Sequence, residues 1–398
     1  MGHPFLTFIF FNFKIILFMK NKLFSIAAIL TLFAFFCSAQ PYAPVNKNAT
    51  PEAKQLLSFL YSVRGKYTIT GQHNFVSDFP KYDETVHAMT GTYSALWGAD
   101  FSFSAQGDNA RKFQHCGPLN LSVPMDSCYD NGKTVAEQRQ LLVNEAIKQH
   151  AKGRIITLMW HSCYPTNGDE CNGDDIWRLS AGIERPNAAE WKELTTDGTP
   201  LNKAWKKQWD GVAFYLKQLQ DAKVPVLWRP YHEMNGEWFW WGYQPGENGF
   251  KKLWIMAYNY LTNHHKLNNL LWVWNTNAPR DIVGDVAGPY ADYFPGVDYV
   301  DVLTADVYRN DWRQSHHDQL MELGKGKLIG LGEVGNVPEP ALYETQPNWS
   351  WFMVWGYCIY DFRSRDRNVN PAAKAIYDNP KSITADKIEL SNNAYQLK

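Results

Sequence analysis

The sequence predicts an α/β fold, a single-domain (β/α)8 TIM barrel with long loops after its second and third strands. Three observations predict it. Short β-rich apolar runs alternate with polar loops and helical stretches, the pattern of parallel β/α units. Eight such runs occur, the strand count of the barrel. Nearly every run stops on a polar or aromatic residue, at the strand end where such barrels gather their functional groups. A doubly wound open sheet is the competing architecture. It usually carries a Gly-rich turn after its first strand, and Gln72-His73-Asn74 is not one.

The predicted strands are residues 67–71 (YTITG), 93–97 (YSALW), 155–160 (IITLMW), 224–229 (VPVLWR), 270–274 (LLWVW), 300–305 (VDVLTA), 328–332 (LIGLG) and 352–356 (FMVWG). Apolar residues three and four apart predict helices over 135–152, 203–221, 249–266 and 314–324, as with Leu141, Leu142, Ala146 and Ile147. The strand ends carry Gly71-Gln72-His73, Trp97-Gly98-Ala99-Asp100, Trp160-His161, Arg229 through Glu233, Trp274-Asn275, Asp306-Val307-Tyr308, Gly332-Glu333 and Trp355. The tail after Pro380 has some strand character and is too short for a separate binding module.

A chain of 398 residues fits one such barrel, and no linker or internal repeat divides it. Lys and Arg (39) balance Asp and Glu (40) for a net charge of −1, so nothing pulls the protein toward nucleic acid or an anionic membrane. Aromatic content is the unusual feature, 15% with 17 Trp. A packed core accounts for most of these rings, although each buried Trp needs a partner for its ring N–H. The functional reading of the remainder is a set of stacking platforms for flat ligands such as sugar rings.

The N-terminus reads as an export signal over residues 1–39. Lys20 and Lys22 precede an apolar run, residues 23–36, and Cys37-Ser38-Ala39 offers a small-residue cleavage site. Translation is expected to start at Met19, and residues 40–398 form the mature catalytic domain, secreted or periplasmic. A membrane anchor competes, but the run is short for a bilayer span of about 20 residues. A lipid-anchored Cys37 is disfavoured by bulky Phe36. No membrane association is expected after cleavage, and a monomer is the default.

Cys116 and Cys128, and Cys163 and Cys171, lie in the two long loops. In an oxidising compartment two local disulfides are plausible, and they would stiffen loops bordering a cleft. Four free thiols are the alternative. Neither pair has zinc-knuckle spacing, and Cys358 reads as a buried thiol.

Two glutamates carry the chemical argument. Hydrolysis of a glycosidic bond needs one carboxyl protonated as acid and another ionised, on opposite sides of one carbon. Glu233 and Glu333 follow strands four and seven, on opposite parts of the barrel rim. A salt bridge or helix cap explains either glutamate alone but explains the pair poorly. Within the string Trp228 to Gly242, Arg229 can bond a carboxylate or serve a structural ion pair. His232 can orient a carboxylate, bond a sugar hydroxyl or simply be a satisfied core histidine. A zinc-protease reading of His232-Glu233 fails because Gly236 stands where the second His would be.

The stretch Arg-Pro-Tyr-His-Glu-Met-Asn-Gly-x-Trp-Phe-Trp-Trp-Gly at 229–242 resembles the acid/base signature of glycoside hydrolase family 26, and Gly332-Glu333-Val334-Gly335 resembles its nucleophile strand. The resemblance runs from about Tyr61 to Tyr377. It implies a (β/α)8 fold and a retaining endo-β-1,4-mannanase acting on mannan, galactomannan or glucomannan. It further implies Glu233 as acid/base, Glu333 as nucleophile, His232 as a sugar-binding residue and Tyr308 as the hydrogen-bond partner of Glu333, with Asp306 nearby. By the same likeness Trp238 and Trp355 line the cleft and His161 is a subsite histidine. The polysaccharide is the expected partner; no metal or organic cofactor is needed for the double displacement. A β-1,3-1,4-glucanase (lichenase) or β-xylanase of the same fold is the near alternative, because linkage choice lives in subsite contacts. A non-catalytic carbohydrate-binding barrel is the remote one, and such a module has no use for a paired acid and nucleophile.

Overall fold

The computed structural model describes residues 43–76, 79–101, 134–168, 176, 185–280, 285–309, 311–361, 366 and 369–398. The expected signal segment 1–39, Cys116, Cys128 and Cys171 lie outside the described residues. Pro44–Lys398 form one compact unit.

Eight parallel strands close into a barrel: β1 (Thr68–His73), β2 (Leu96–Asp100), β3 (Ile155–Trp160), β4 (Val226–Pro230), β5 (Leu270–Asn277), β6 (Val302–Val307), β7 (Leu328–Val334) and β8 (Trp349–Val354). Each pairs with the next, and β1 pairs with both β2 and β8 to complete the ring. The chain is therefore a (β/α)8 TIM barrel. Its helices are α1 (Pro51–Val63), α2 (Pro80–Thr90), α3 (Val135–Ala151), α4 (Ala188–Leu194), α5 (Pro200–Asp221), α6 (Phe250–Asn259), α7 (Gln314–Gly324), α8 (Leu342–Thr345) and α9 (Pro371–Tyr377). Threonine caps recur where helices begin. The side chains of Thr50, Thr134 and Thr199 accept from first-turn amides of α1, α3 and α5, and Thr134 forms a capping box with Glu137. Among the described residues no helix is long and apolar enough to cross a membrane.

Strand side chains alternate between two apolar environments. Ile69, Leu96, Ile155, Leu227, Leu271, Val273, Val302, Leu328, Trp351 and Met353 form one cluster with Ala53, Leu56, Leu57 and Leu60 of α1, which closes the lower end of the barrel. The intervening residues, such as Trp97, Trp228, Trp272, Leu303 and Phe352, join the helical layer in a second cluster. Space for Trp351 comes from Gly330, where a Cβ would lie 2.8 Å from the Trp351 ring. Among the described residues twelve Trp, of 17 in the sequence, are fully buried, so packing accounts for most of the aromatic content.

Strands β2 and β8 differ from expectation by three residues at their starts. Ser94, read as strand two, instead forms an antiparallel bridge to Thr384 of the C-terminal tail. The tail belongs to the fold. Strand β9 (Ser382–Ile383) lies parallel beside β1, and β10 (Ile388–Ser391) and β11 (Ala394–Leu397) make a hairpin. Its two turn residues, Asn392 and Asn393, have φ of 49° and 63°, the conformation a two-residue hairpin turn asks of Asn. Tyr395 packs with α1 and donates to the Arg154 carbonyl at 2.9 Å.

Candidate active site

The strand faces that build the apolar floor end, two to four residues on, in polar groups. Asp100 follows Leu96, Arg229 follows Leu227, Asn275 follows Val273 and Asp306 follows Val302, and all four are buried. The period of two along each strand thus brings a ring of polar side chains to the carboxyl-end mouth.

After β4 the chain turns sharply. Tyr231 and Glu233 have φ of 52° and 54°, a left-handed conformation that costs a non-glycine residue about 1–3 kcal/mol and persists only where the surroundings impose it. The restraints are visible. Tyr231 Oη accepts from Trp205 Nε1 (2.8 Å) and Trp209 Nε1 (3.0 Å), and the Glu233 amide donates to the Asn275 carbonyl at 2.8 Å. Asn235 ties the turn to the end of β5, donating to the Asn277 carbonyl (2.9 Å) and accepting the Asn277 amide (2.7 Å). The Glu233 carboxylate accepts from Trp238 Nε1 at 2.8 Å. Burial, and then repulsion from Glu333, push the Glu233 carboxyl up to about 8, against the opposing pull of Trp238, Arg280 and Arg229.

Glu333 reaches the mouth through a β-bulge. Opposite β6 the register shifts at Ala305/Asp306, so that Asp306 faces Glu333 and Gly332 is the extra residue. Only glycine fits at 332, since a Cβ there would lie 1.7 Å from Asn275 Oδ1 and 2.7 Å from Asp306 Oδ1. The Glu333 carboxylate accepts from Arg229 Nη2 (2.8 Å) on one oxygen and from Tyr308 Oη (2.6 Å) on the other. Arg229 also donates to Asn275 Oδ1 at 3.3 Å and stands 3.5 Å from Asp306 Oδ2. Burial alone would lower the Arg229 guanidinium, but Glu333 and Asp306 more than offset this and raise it. Burial and Glu333 push the Asp306 carboxyl and the Tyr308 hydroxyl well up.

His232 places Nε2 4.0 Å from Glu333 Oε1. Burial, then the nearby His161 and Arg229, drive His232 well below the usual imidazole range, so its ring is neutral. His161 stands edge-on to His232, ring centroids 4.3 Å apart, and its Nδ1 bonds the Asp100 carboxylate. Trp238 and Trp355 are half-buried and border this group. All nine predicted site residues, Glu233, Glu333, His161, Arg229, His232, Trp238, Asp306, Tyr308 and Trp355, therefore lie at the carboxyl ends of the strands. Cys163, in the loop after β3, is disulfide-bonded, and Cys358 is a buried free thiol.

Three residues of the mouth are visible in the sequence only as strand ends. Asp100 holds His161, and Asn275 links Arg229 to the Glu233 turn. His73 is fully buried, stacked on Trp355 at 4.1 Å and 21°, with neither ring nitrogen hydrogen-bonded. Burial pushes the His73 imidazole down to about 3. Conversely, Phe239, Trp240 and Trp241 of the aromatic string are buried supports. Trp241 Nε1 holds the His232 carbonyl and Trp240 Nε1 the Ser162 carbonyl, both at 2.8 Å, and the Phe239 ring stacks on Trp241 at 4.4 Å. His232, Asp306 and Glu333 offer three ligand atoms within 4.8 Å of one another. The Arg229 guanidinium already stands against this acidic pair, 2.8 Å from Glu333 and 3.5 Å from Asp306.

The sequence profile of glycosyl hydrolase family 26 matches residues 121–387. The chain belongs to glycosyl hydrolase family 26. This family 26 chain resembles the solved structure of GH26A from Muricauda sp. MAR_2010_75, with 40% identity, a TM-score of 0.73, and coverage of 86% of this chain and 99% of that one. A β-mannanase from a symbiotic protist of the termite Reticulitermes speratus, solved with a gluco-manno-oligosaccharide, is 29% identical with a TM-score of 0.67, over 87% and 97% of the two chains. The mannan endo-1,4-β-mannosidase of Thermothelomyces thermophilus is 30% identical over 362 residues, 86% of this chain and 63% of that enzyme. The chain spans about half to two-thirds of the length of the curated relatives it matches, 63%, 49% and 48% for the first three.

Proposed function

We propose that this family 26 protein is a retaining endo-β-1,4-mannanase that cuts internal bonds of mannan, galactomannan or glucomannan. The observation that carries the reading is the unequal environment of two carboxyls at one barrel mouth. Glu333 accepts from a guanidinium and a phenol, donors suited to an ionised carboxylate. Glu233 is held protonated up to about pH 8 by burial and by Glu333. Environments that differ in this way assign the acid and the nucleophile.

In this mechanism Glu333 attacks the anomeric carbon while Glu233 gives its proton to the departing glycosidic oxygen. The covalent glycosyl-enzyme then reacts with water, from which Glu233 takes a proton, and the configuration is retained. His232, neutral and close to Glu333, bonds a sugar hydroxyl, as does His161. Trp238 and Trp355 give the sugar apolar faces, while Arg229, Asp306 and Tyr308 position Glu333. Mannan as substrate is supported by the names of the curated relatives and by the gluco-manno-oligosaccharide bound to the termite-symbiont enzyme.

The test is incubation of the mature protein with mannan, galactomannan, lichenan and xylan, followed by product analysis. Mannooligosaccharides from the first two are expected. Activity on lichenan or xylan alone would transfer the reading to the glucanase or xylanase alternative.

We also infer export. The apolar run 23–36 and its flanking residues support a leader cleaved before Gln40, and a disulfide at Cys163 suits an oxidising compartment. Amino-terminal sequencing of protein from the culture medium or periplasm tests this; a retained leader would refute it.

A further inference from the structure

We infer that Asp210, His264 and His265 form a binding site for a transition-metal dication of the Zn²⁺ class on the outer helical layer. Asp210 lies on α5, and the two histidines follow α6. One ligand atom from each of the three side chains lies within 4.8 Å of the other two. Two imidazoles and a carboxylate are a donor set that binds Zn²⁺, with solvent free to complete the coordination.

Local structure supports the site twice over. First, α6 does not end as an α-helix; residues Tyr260–His264 wind as a π turn, closed by the His265 amide on the Tyr260 carbonyl at 3.1 Å. Neighbouring α-helical residues point about 100° apart, yet here both His264 and His265 bring a ring nitrogen within 4.8 Å of the same carboxylate. Isolated π turns are rare and concentrate at functional sites. No residue of the catalytic mouth explains this one.

Second, Tyr260 orients two of the three ligands. Its hydroxyl donates to Asp210 Oδ1 at 2.6 Å, and its ring stacks on His264 at 4.8 Å and 9°. Partners of this sort, behind the ligating side chains, are what fix ligand orientation in metal sites. A simple surface ion pair accounts for His265 Nε2, 2.8 Å from Asp210 Oδ1, but explains neither the approach of the His264 ring nitrogen to the same group nor the π turn that brings it there. The ammonium of Lys206, 5.7 Å from the Tyr260 ring, is engaged by Asp197.

The site would clip α5 to the end of α6, the helices on either side of β4 in the chain. A dication bound only by the folded protein stabilises it by mass action. The consequence is thermal stability, with the chemistry at the mouth untouched.

Titration of tag-free mature protein with ZnCl2 by calorimetry, together with thermal unfolding, tests the inference. One equivalent should bind, and the unfolding midpoint should rise by about 3–5 °C at zinc near a hundred times Kd. His264→Ala/His265→Ala should lose both effects while its activity without zinc stays at the wild-type level. Should that double variant fold poorly, His264→Gln alone, at an exposed position, should weaken binding at least roughly tenfold. Absence of zinc binding to the wild-type protein would overturn the inference. So would undiminished binding by the variants, which would place the metal elsewhere, including at His232, Asp306 and Glu333.

Discussion

Arg229 Nη2 donates to Glu333 Oε1 at 2.8 Å, and both side chains are buried at the barrel mouth. The same guanidinium stands 3.5 Å from Asp306, whose carboxyl burial and Glu333 push well up, so the buried cation is balanced chiefly by Glu333. Removing one member of such a group leaves uncompensated charge, which typically costs about 3–5 kcal/mol. Arg229→Met is therefore expected to lose stability of that order in urea unfolding, together with activity. Arg229→Lys keeps the charge but cannot reproduce the planar fork, and should fall between the two. A methionine variant as stable as wild type would show that the ion pair does not hold the site.

The raised Glu233 carboxyl sets the alkaline limit. Activity should fall as pH rises through about 8, where Glu233 loses the proton it donates. Stability carries the same signature. A carboxyl raised from 4.5 to about 8 stabilises the folded state fully below about pH 4.5, and that contribution is lost as pH climbs through 8. Glu233→Gln has no such loss. Relative to wild type it should gain about 1.4 kcal/mol for each pH unit between those limits, as read from unfolding midpoints across the range. Parallel stability profiles for the two proteins would contradict the assignment.

Trp238 acts in the opposite sense. Its Nε1 donates to Glu233 Oε2 at 2.8 Å and so favours the ionised carboxylate. Trp238→Phe removes the donor and keeps an aromatic ring. The alkaline limb of kcat should move to higher pH in this variant, and a shift to lower pH would be the wrong sign.

Tyr308→Phe deletes the 2.6 Å bond to Glu333 Oε2 with little change of shape. A hydrogen bond to a charged group contributes about 1.5–3 kcal/mol, which as a barrier is roughly a tenfold to 150-fold loss of kcat/KM. Circular dichroism should be unchanged, and the unfolding midpoint should fall by only about 2–4 °C. Wild-type kinetics in this variant would remove Tyr308 from the positioning of Glu333.

The barrel was legible because its pattern is periodic. Strand β3 and helix α7 fall where apolar spacing puts them, and α3 and α5 begin or end within a few residues. Misplacements have physical causes that spacing does not encode. Ser94 is taken by a bridge to Thr384, 290 residues away in the chain. The π turn at Tyr260–His264 breaks the helical period, and the bulge at Gly332 changes which residue faces inward. At the mouth, Arg229, His232, Glu233 and Trp238 could be read together because they are contiguous. His73, Asp100 and Asn275 are single polar residues at the ends of three separate strands, and only closure of the barrel brings them to the others. The string at 238–241 is uniformly aromatic, so its spacing does not divide it. Trp238 reaches Glu233, whereas Phe239, Trp240 and Trp241 hold the backbone behind it.

The division of labour between Glu233 and Glu333 is the central claim, and trapping of the glycosyl-enzyme tests it most directly. The mature protein would be treated with a 2-deoxy-2-fluoro-β-mannosyl fluoride, digested and mapped by mass spectrometry. A covalent sugar on the peptide containing Glu333, with products of retained β configuration from mannooligosaccharides, is the predicted result. A sugar attached to another residue, or first-formed products of α configuration, would contradict it.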